Sequence, residues 1–175
     1  MANLDDLRNA LAALVALVRG YSPLHGRVRL QKLAYLLQRM GFEPLQHVHF
    51  AYHHYGPYSD QLAGVLDQAV ASGLVQEREH TTAEQRRQFT YEIDEAHDDL
   101  RLLALTDRQR QAISTFHHAT KQTHWRTLEL AATVIYLERH SRLDRGDALA
   151  RALKLKPACA TYQDQATQLL GTLGL

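Results

Sequence analysis

A single cysteine in the whole chain, Cys159, leaves no partner for an intramolecular disulfide and fits a reducing compartment. Long hydrophobic runs are missing too. The run near the start, Leu11–Val18, is far short of the ~20 apolar residues of a membrane span. Asp5 and Asp6 precede it where a signal peptide carries basic residues, so the expectation is a cytoplasmic chain with no membrane contact. Charge of one sign is also lacking. The net is +1 overall, with residues 1–95 at −2 and residues 96–175 at +3, and neither half has the basic excess of a typical nucleic-acid binder. There is no G-x-S-x-G, no phosphate-binding glycine loop and no H-E-x-x-H. No catalytic residue is assigned, and no enzyme activity or cofactor is expected. Internal repeats, low-complexity tracts and linkers are absent.

What is there is helical periodicity. A first helix is expected from about Leu4 to Arg19, with Asn3 as cap, Asp5 and Asp6 at the positive end of its dipole, and Gly20 to end it. Leu4, Leu7, Leu11, Leu14 and Val18 share one face. A second helix lies in "GRVRLQKLAYLLQRMG", with Leu30, Leu33, Leu37 and Met40 on one side. Arg29, Lys32, Arg39, Gln31 and Gln38 fall on the others, either as a solvated face or as cations that meet phosphates.

Alternation then marks Gln46–His54 as a strand, with Val48, Phe50 and Tyr52 inward and His47, His49, Ala51 and His53 outward. Four histidines in eight positions raise the question of a metal. Along one strand His53 lies roughly 13 Å from His49, too far to share an ion, and the spacing matches no zinc signature, so no metal site is expected. Gly56-Pro57 reads as a turn into a helix from about Tyr58 to Ser72, with Ser59 available as a cap. Leu74–His80 and Gln88–Ile93 read as the arms of a β-hairpin whose polar tip holds Arg86 and Arg87.

Helix, helix, strand, helix and hairpin is the order of a winged-helix, helix-turn-helix domain over residues 1–95, the hairpin being the wing. From Leu105 the chain is all-helical. Thr106-Asp107-Arg108-Gln109 is a capping box, "WRTLELAATVIYLERH" is a buried helix opened by Trp125, and two short helices follow at about Arg145–Leu155 and Tyr162–Leu173. Cys159 is expected as a small buried residue. The fold expected is mainly α with a small β-hairpin: a winged-helix-like core with a C-terminal helical extension, residues 96–175, packed on it as one unit.

"LQKLAYLLQ" at 30–38, "YHHYGPYSDQL" at 52–62, "ASGLVQE" at 71–77 and the later "LELAATVIYL" and "KP" resemble the bacterial YwgA-like proteins. A more distant likeness is to the Panacea domain, a prokaryotic antitoxin module, from which this chain departs in lacking a tryptophan before the turn and in having Pro-Tyr-Ser after Gly56. The resemblance implies a winged-helix-like fold and a prokaryotic origin, and brings no catalytic residues.

Two kinds of regulatory binding module remain. For a DNA-binding regulator the third helix enters the major groove. Gln61 and Gln68 then read bases, while Arg27, Arg29, Lys32, Arg86 and Arg87 meet phosphates. Asp60 and Asp67 oppose this, and no Arg or Lys occurs between Arg39 and Arg78. For a protein-binding module, such as an antitoxin, an adaptor or a defence-complex subunit, the anchors are Tyr55, Tyr58 and Asp60, with Tyr52 more suited to the core. Base rates for the fold place double-stranded DNA slightly ahead, charge favours the protein partner, and oligomerisation stays open.

Overall fold

A computed structural model describes residues 4–81, 85, 87–97, 100 and 103–175. Among these the chain is mainly helical, with seven α-helices and a small antiparallel sheet. Helix α1 (Leu4–Gly20) buries Ala10, Ala13, Leu14, Leu17 and Val18. Its apolar face begins one turn later than the leucine spacing predicts, since Leu4 stands in solvent.

Helix α2 (Arg27–Arg39) overturns the expected division into apolar and solvated faces. Every residue from Leu30 to Gln38 is buried, because α1, α5 (Trp125–Ser141) and strand β3 (Gly56–Tyr58) pack around it. Gln31, Lys32 and Gln38 therefore bond to backbone rather than to water, as buried polar groups require. Gln38 is one case. Its amide donates to the carbonyls of Leu45 and Val48 at 2.6 Å each, and Gln46 donates back to Gln38 O at 2.9 Å.

Those bonds explain why the expected strand over Gln46–His54 is mostly not one. A 3₁₀ turn occupies Glu43–Leu45, Val48 and Phe50 are buried as the alternation predicts, and only Ala51–His53 (β2) forms a ladder. The turn is displaced as well. Gly56-Pro57 does not turn the chain; His54 and Tyr55 do, and Gly56–Tyr58 returns as β3 with Tyr52 opposite Pro57. Tyr52, expected in the core, is 37% exposed.

Helix α3 (Asp60–Ala71) starts two residues later than expected, where the Ser59 hydroxyl accepts from Leu62 N at 3.1 Å. Strands β4 (Val75–Thr81) and β5 (Arg87–Ile93) form the expected hairpin. A two-residue strand, β1 (Leu24–His25), adds to its free edge and gives the order β1–β5–β4. Gly26 N extends that ladder by donating to Phe89 O at 2.8 Å.

The C-terminal helices are α4 (Asp107–Thr120), α5, α6 (Arg145–Leu155) and α7 (Gln163–Leu173). The Thr106–Gln109 capping box forms, and Cys159 is buried in the 3₁₀ turn Pro157–Tyr162. Residues 127–135 of α5 are buried on all sides, so this helix lies against α2 and β3 as much as against α6 and α7. Trp125, expected in the core, is 40% exposed at the start of α5, with the Arg126 guanidinium over its ring. Among the described residues no helix is long and apolar enough to cross a membrane.

Candidate functional site

The β2–β3 hairpin is the place where the distinctive sequence segments meet. Gln31 stands opposite Ser59 like a neighbouring strand: its amide donates to Ser59 O at 3.0 Å and accepts from Ser59 N at 2.9 Å. One residue on, the Lys32 ammonium donates to Pro57 O at 2.7 Å. From the other side Lys156 donates to His54 O and pairs with Glu129 at 3.0 Å. Glu129 also accepts from the Cys159 thiol at 3.7 Å. Lys32, Lys156 and Glu129 are all buried.

Gly56 completes the arrangement. Its φ is +85°, and a Cβ there would lie 2.6 Å from Thr133 Oγ1 on α5, so the hairpin sits directly on that helix. Thr133 in turn donates to Glu129 O at 2.8 Å. Burial pushes Lys32 down to about 7, with Glu129 opposing that shift and Lys156 reinforcing it. Burial, with Glu129 next, raises the Cys159 thiol to about 11, which makes it a poor nucleophile at neutral pH.

The outer side of the same hairpin is aromatic. Tyr55 is 56% exposed at the turn, beside Tyr52, and the Lys156 ammonium lies 5.7 Å from the centre of one ring and 6.0 Å from the other. Tyr58 is half-buried against His53, their rings 5.0 Å apart, and Asp60 is exposed at the start of α3. The proposed anchors Tyr55, Tyr58 and Asp60 thus lie within six residues, on the hairpin and the helix it leads into.

The residues assigned to nucleic acid are not brought together in this way. Lys32 is withdrawn from solvent, which corrects its assignment to a phosphate: a buried ammonium holding Pro57 O has no path to DNA. Arg27 pairs with Asp67 at 2.9 Å and with Glu77 at 3.0 Å, and donates to Tyr91 OH at 2.9 Å. Burial opposes its charge, yet the bonds to Glu77 and Tyr91 hold it above the usual arginine range. Arg87 is bidentate on Glu79, and Arg86 lies outside the described residues. Arg29 faces a different side, over Tyr21. Gln61 accepts from His49 N at 3.4 Å, and Gln68 is exposed on α3.

Among the described residues no group of three or more His, Cys, Asp or Glu side chains could hold a metal ion. His47 instead faces Asp6 at 3.5 Å. Sequence reasoning missed Glu129 and Lys156. A signal was present in Glu129, a lone carboxylate inside the apolar run "LELAATVIYL", which needs a partner once that run is buried. No protein-family model matches this chain, and no curated protein matches it at a significant level.

Proposed function

We propose that this chain is a non-enzymatic prokaryotic regulatory module of winged-helix type, and that its working surface is the β2–β3 hairpin, which docks a protein partner. With the β2–β3 hairpin taken as an insertion between α2 and α3, the remaining order helix, strand, helix, helix, strand, strand, with the first strand beside the last, supports the winged-helix reading. The YwgA-like resemblance supports it too: three residues within the segments that carry the likeness, Gln31, Lys32 and Lys156, bond to the hairpin or to Ser59 that follows it.

One observation carries the choice of surface. Two buried lysines bond to hairpin carbonyls while Tyr52 and Tyr55 stay outside. Withdrawing an ammonium from water costs several kcal/mol. A fold that bears this twice to fix one short hairpin presents its tyrosines already ordered, and rigid aromatic side chains at low entropic cost are what a protein interface uses. A toxin or a defence-complex subunit is the class of partner. DNA binding ranks second, because Arg27 and Arg87 already have carboxylate partners and Asp60 and Asp67 are exposed on α3.

The test pairs two measurements. Co-expression with the product of the adjacent gene is expected to give a complex that Tyr55→Ala weakens by about tenfold or more. Mixed-sequence duplex DNA at low salt is expected not to bind. Duplex binding that falls steeply with salt, together with a complex indifferent to Tyr55, would overturn the reading in favour of DNA.

A further inference from the structure

Away from the hairpin, residues 20–25 between α1 and α2, the first turn of α2 and the end of α4 enclose a pocket of about 320 Å³. Its lining carries four basic side chains, His25, Arg29, His117 and Lys121, and no carboxylate. Arg29 is the informative one. Two residues earlier, Arg27 has Asp67 and Glu77; Arg29 is half-buried and has no acidic partner among the described residues. Its guanidinium is nonetheless fixed in place. It lies over the Tyr21 ring at 5.8 Å and donates through one nitrogen to Lys121 O at 3.3 Å, and the rest of its planar donor fork has no hydrogen-bond partner among the described residues.

Tyr21 is itself locked. Its hydroxyl bonds to Thr120 Oγ1, and its ring meets the His117 ring edge-on at 4.8 Å. Two of the basic groups are also held below their usual ranges. Burial holds Arg29 below the usual arginine range, and burial, then Lys121 and His118, hold His117 below the usual histidine range. An anion in the pocket relieves both effects, because it supplies the counter-charge that the protein does not.

We infer that this pocket is a phosphate-binding site, in which Arg29 supplies the oriented fork, Lys121 a mobile ammonium, and His117 and His25 further donors. A planar guanidinium with unused donors matches a tetrahedral oxyanion. The volume exceeds that of a bare phosphate, so the ligand class is a small phosphate-bearing molecule such as a nucleoside monophosphate. The site joins core and extension, since Arg29 belongs to α2 and His117 to α4. It is independent of the hairpin and of the partner proposed for it.

Isothermal titration of the full chain with inorganic phosphate and with a nucleoside 5′-monophosphate, at constant ionic strength, tests this. The expected result is saturable one-to-one binding of at least one probe. Lys121→Gln and Arg29→Gln should each weaken it by about tenfold, whereas Arg87→Gln on the wing should leave it unchanged. Tighter binding of the nucleotide assigns the ligand a base or sugar; equal binding assigns free phosphate. Lys121 is exposed at the end of α4, so its variant tests the site even if Arg29→Gln fails to fold. No saturable binding of either probe, or binding equally weakened by Arg87→Gln, would overturn the inference.

Discussion

Beneath the β2–β3 hairpin, Lys32, Lys156 and Glu129 are withdrawn from water, whereas on the face of the β4–β5 strands Arg27 pairs with Asp67 and Glu77, and Arg87 with Glu79, at the surface. Both regions gather charge, but the consequences differ. A buried charge without its partner is costly, so each residue of the hairpin site depends on the others. Surface pairs gain little over solvated ions, and each is replaceable. The β4–β5 face carries its charge as a screen that cancels itself, which leaves little positive field for a phosphate backbone. The hairpin carries its charge as a constraint on backbone geometry.

The sharpest way to break this contrast is to remove one member of the buried pair. Lys156→Met removes the cation that pairs with buried Glu129 and the donor to His54 O, and should cost about 3–5 kcal/mol in urea unfolding, as should Glu129→Leu. The double variant should cost clearly less than the sum, because no charge is then stranded. Additive losses would mean that the two act separately. Next in size is Gly56→Ala, whose Cβ meets Thr133 Oγ1 at 2.6 Å and whose φ suits no L side chain. A loss of about 2–4 kcal/mol is expected, reduced but not abolished when Thr133→Ala removes the clash.

How much of this was legible in the sequence depends on how far away each partner lies. The capping box at Thr106, the Ser59 cap and the β4–β5 arms are local patterns, and all three form. Gln31, Lys32 and Gln38 read as a solvated face because nothing nearby in sequence says otherwise. Their partners lie at Ser59, Pro57, Leu45 and Val48, and only the packing of α5 closes over them. Alternation through Val48 and Phe50 placed both side chains inside but implied a ladder that Gln38 replaces with side-chain bonds. By the same parity Tyr52 belonged in the core; the hairpin, lifted onto Thr133 at Gly56, leaves it outside. Within the candidate site, Tyr55, Tyr58 and Asp60 were visible as a cluster, whereas Lys156, about a hundred residues away, was not.

A pH series sharpens the comparison further. Lys32 sits at about 7 in the fold, against about 10.4 for a lysine in an unfolded chain. Between those values the unfolded state binds more protons, so the folded state gains stability as pH rises from about 7 towards 10. Below about 7 both states are protonated and the full cost of the buried charge is felt. Measured against Lys32→Met, the native chain should therefore improve by a few kcal/mol over that window. A flat difference would show that Lys32 remains charged and compensated throughout.

The smallest effect is expected on the β4–β5 face. Arg27→Ala removes part-exposed pairs to Asp67 and Glu77 and a bond to the hydroxyl of buried Tyr91, which keeps Glu77 as a partner, and should cost about 1 kcal/mol. Burial pulls the Glu77 carboxyl upward, but bonds from Tyr91 and Arg27 prevail and hold it below the usual carboxylate range. Its contribution is then complete above about pH 5 and fades as the pH falls through its lowered folded value. In Arg27→Ala the acid limb of the stability curve should be shallower for that reason, with little change at neutral pH. A loss of more than about 3 kcal/mol at pH 7 would place the Arg27 cluster in the same class as the buried pair. The charges of the β4–β5 face would then be structural in the sense that Lys156 and Glu129 are, and the division between a constrained β2–β3 hairpin and exchangeable surface pairs would no longer separate the two faces.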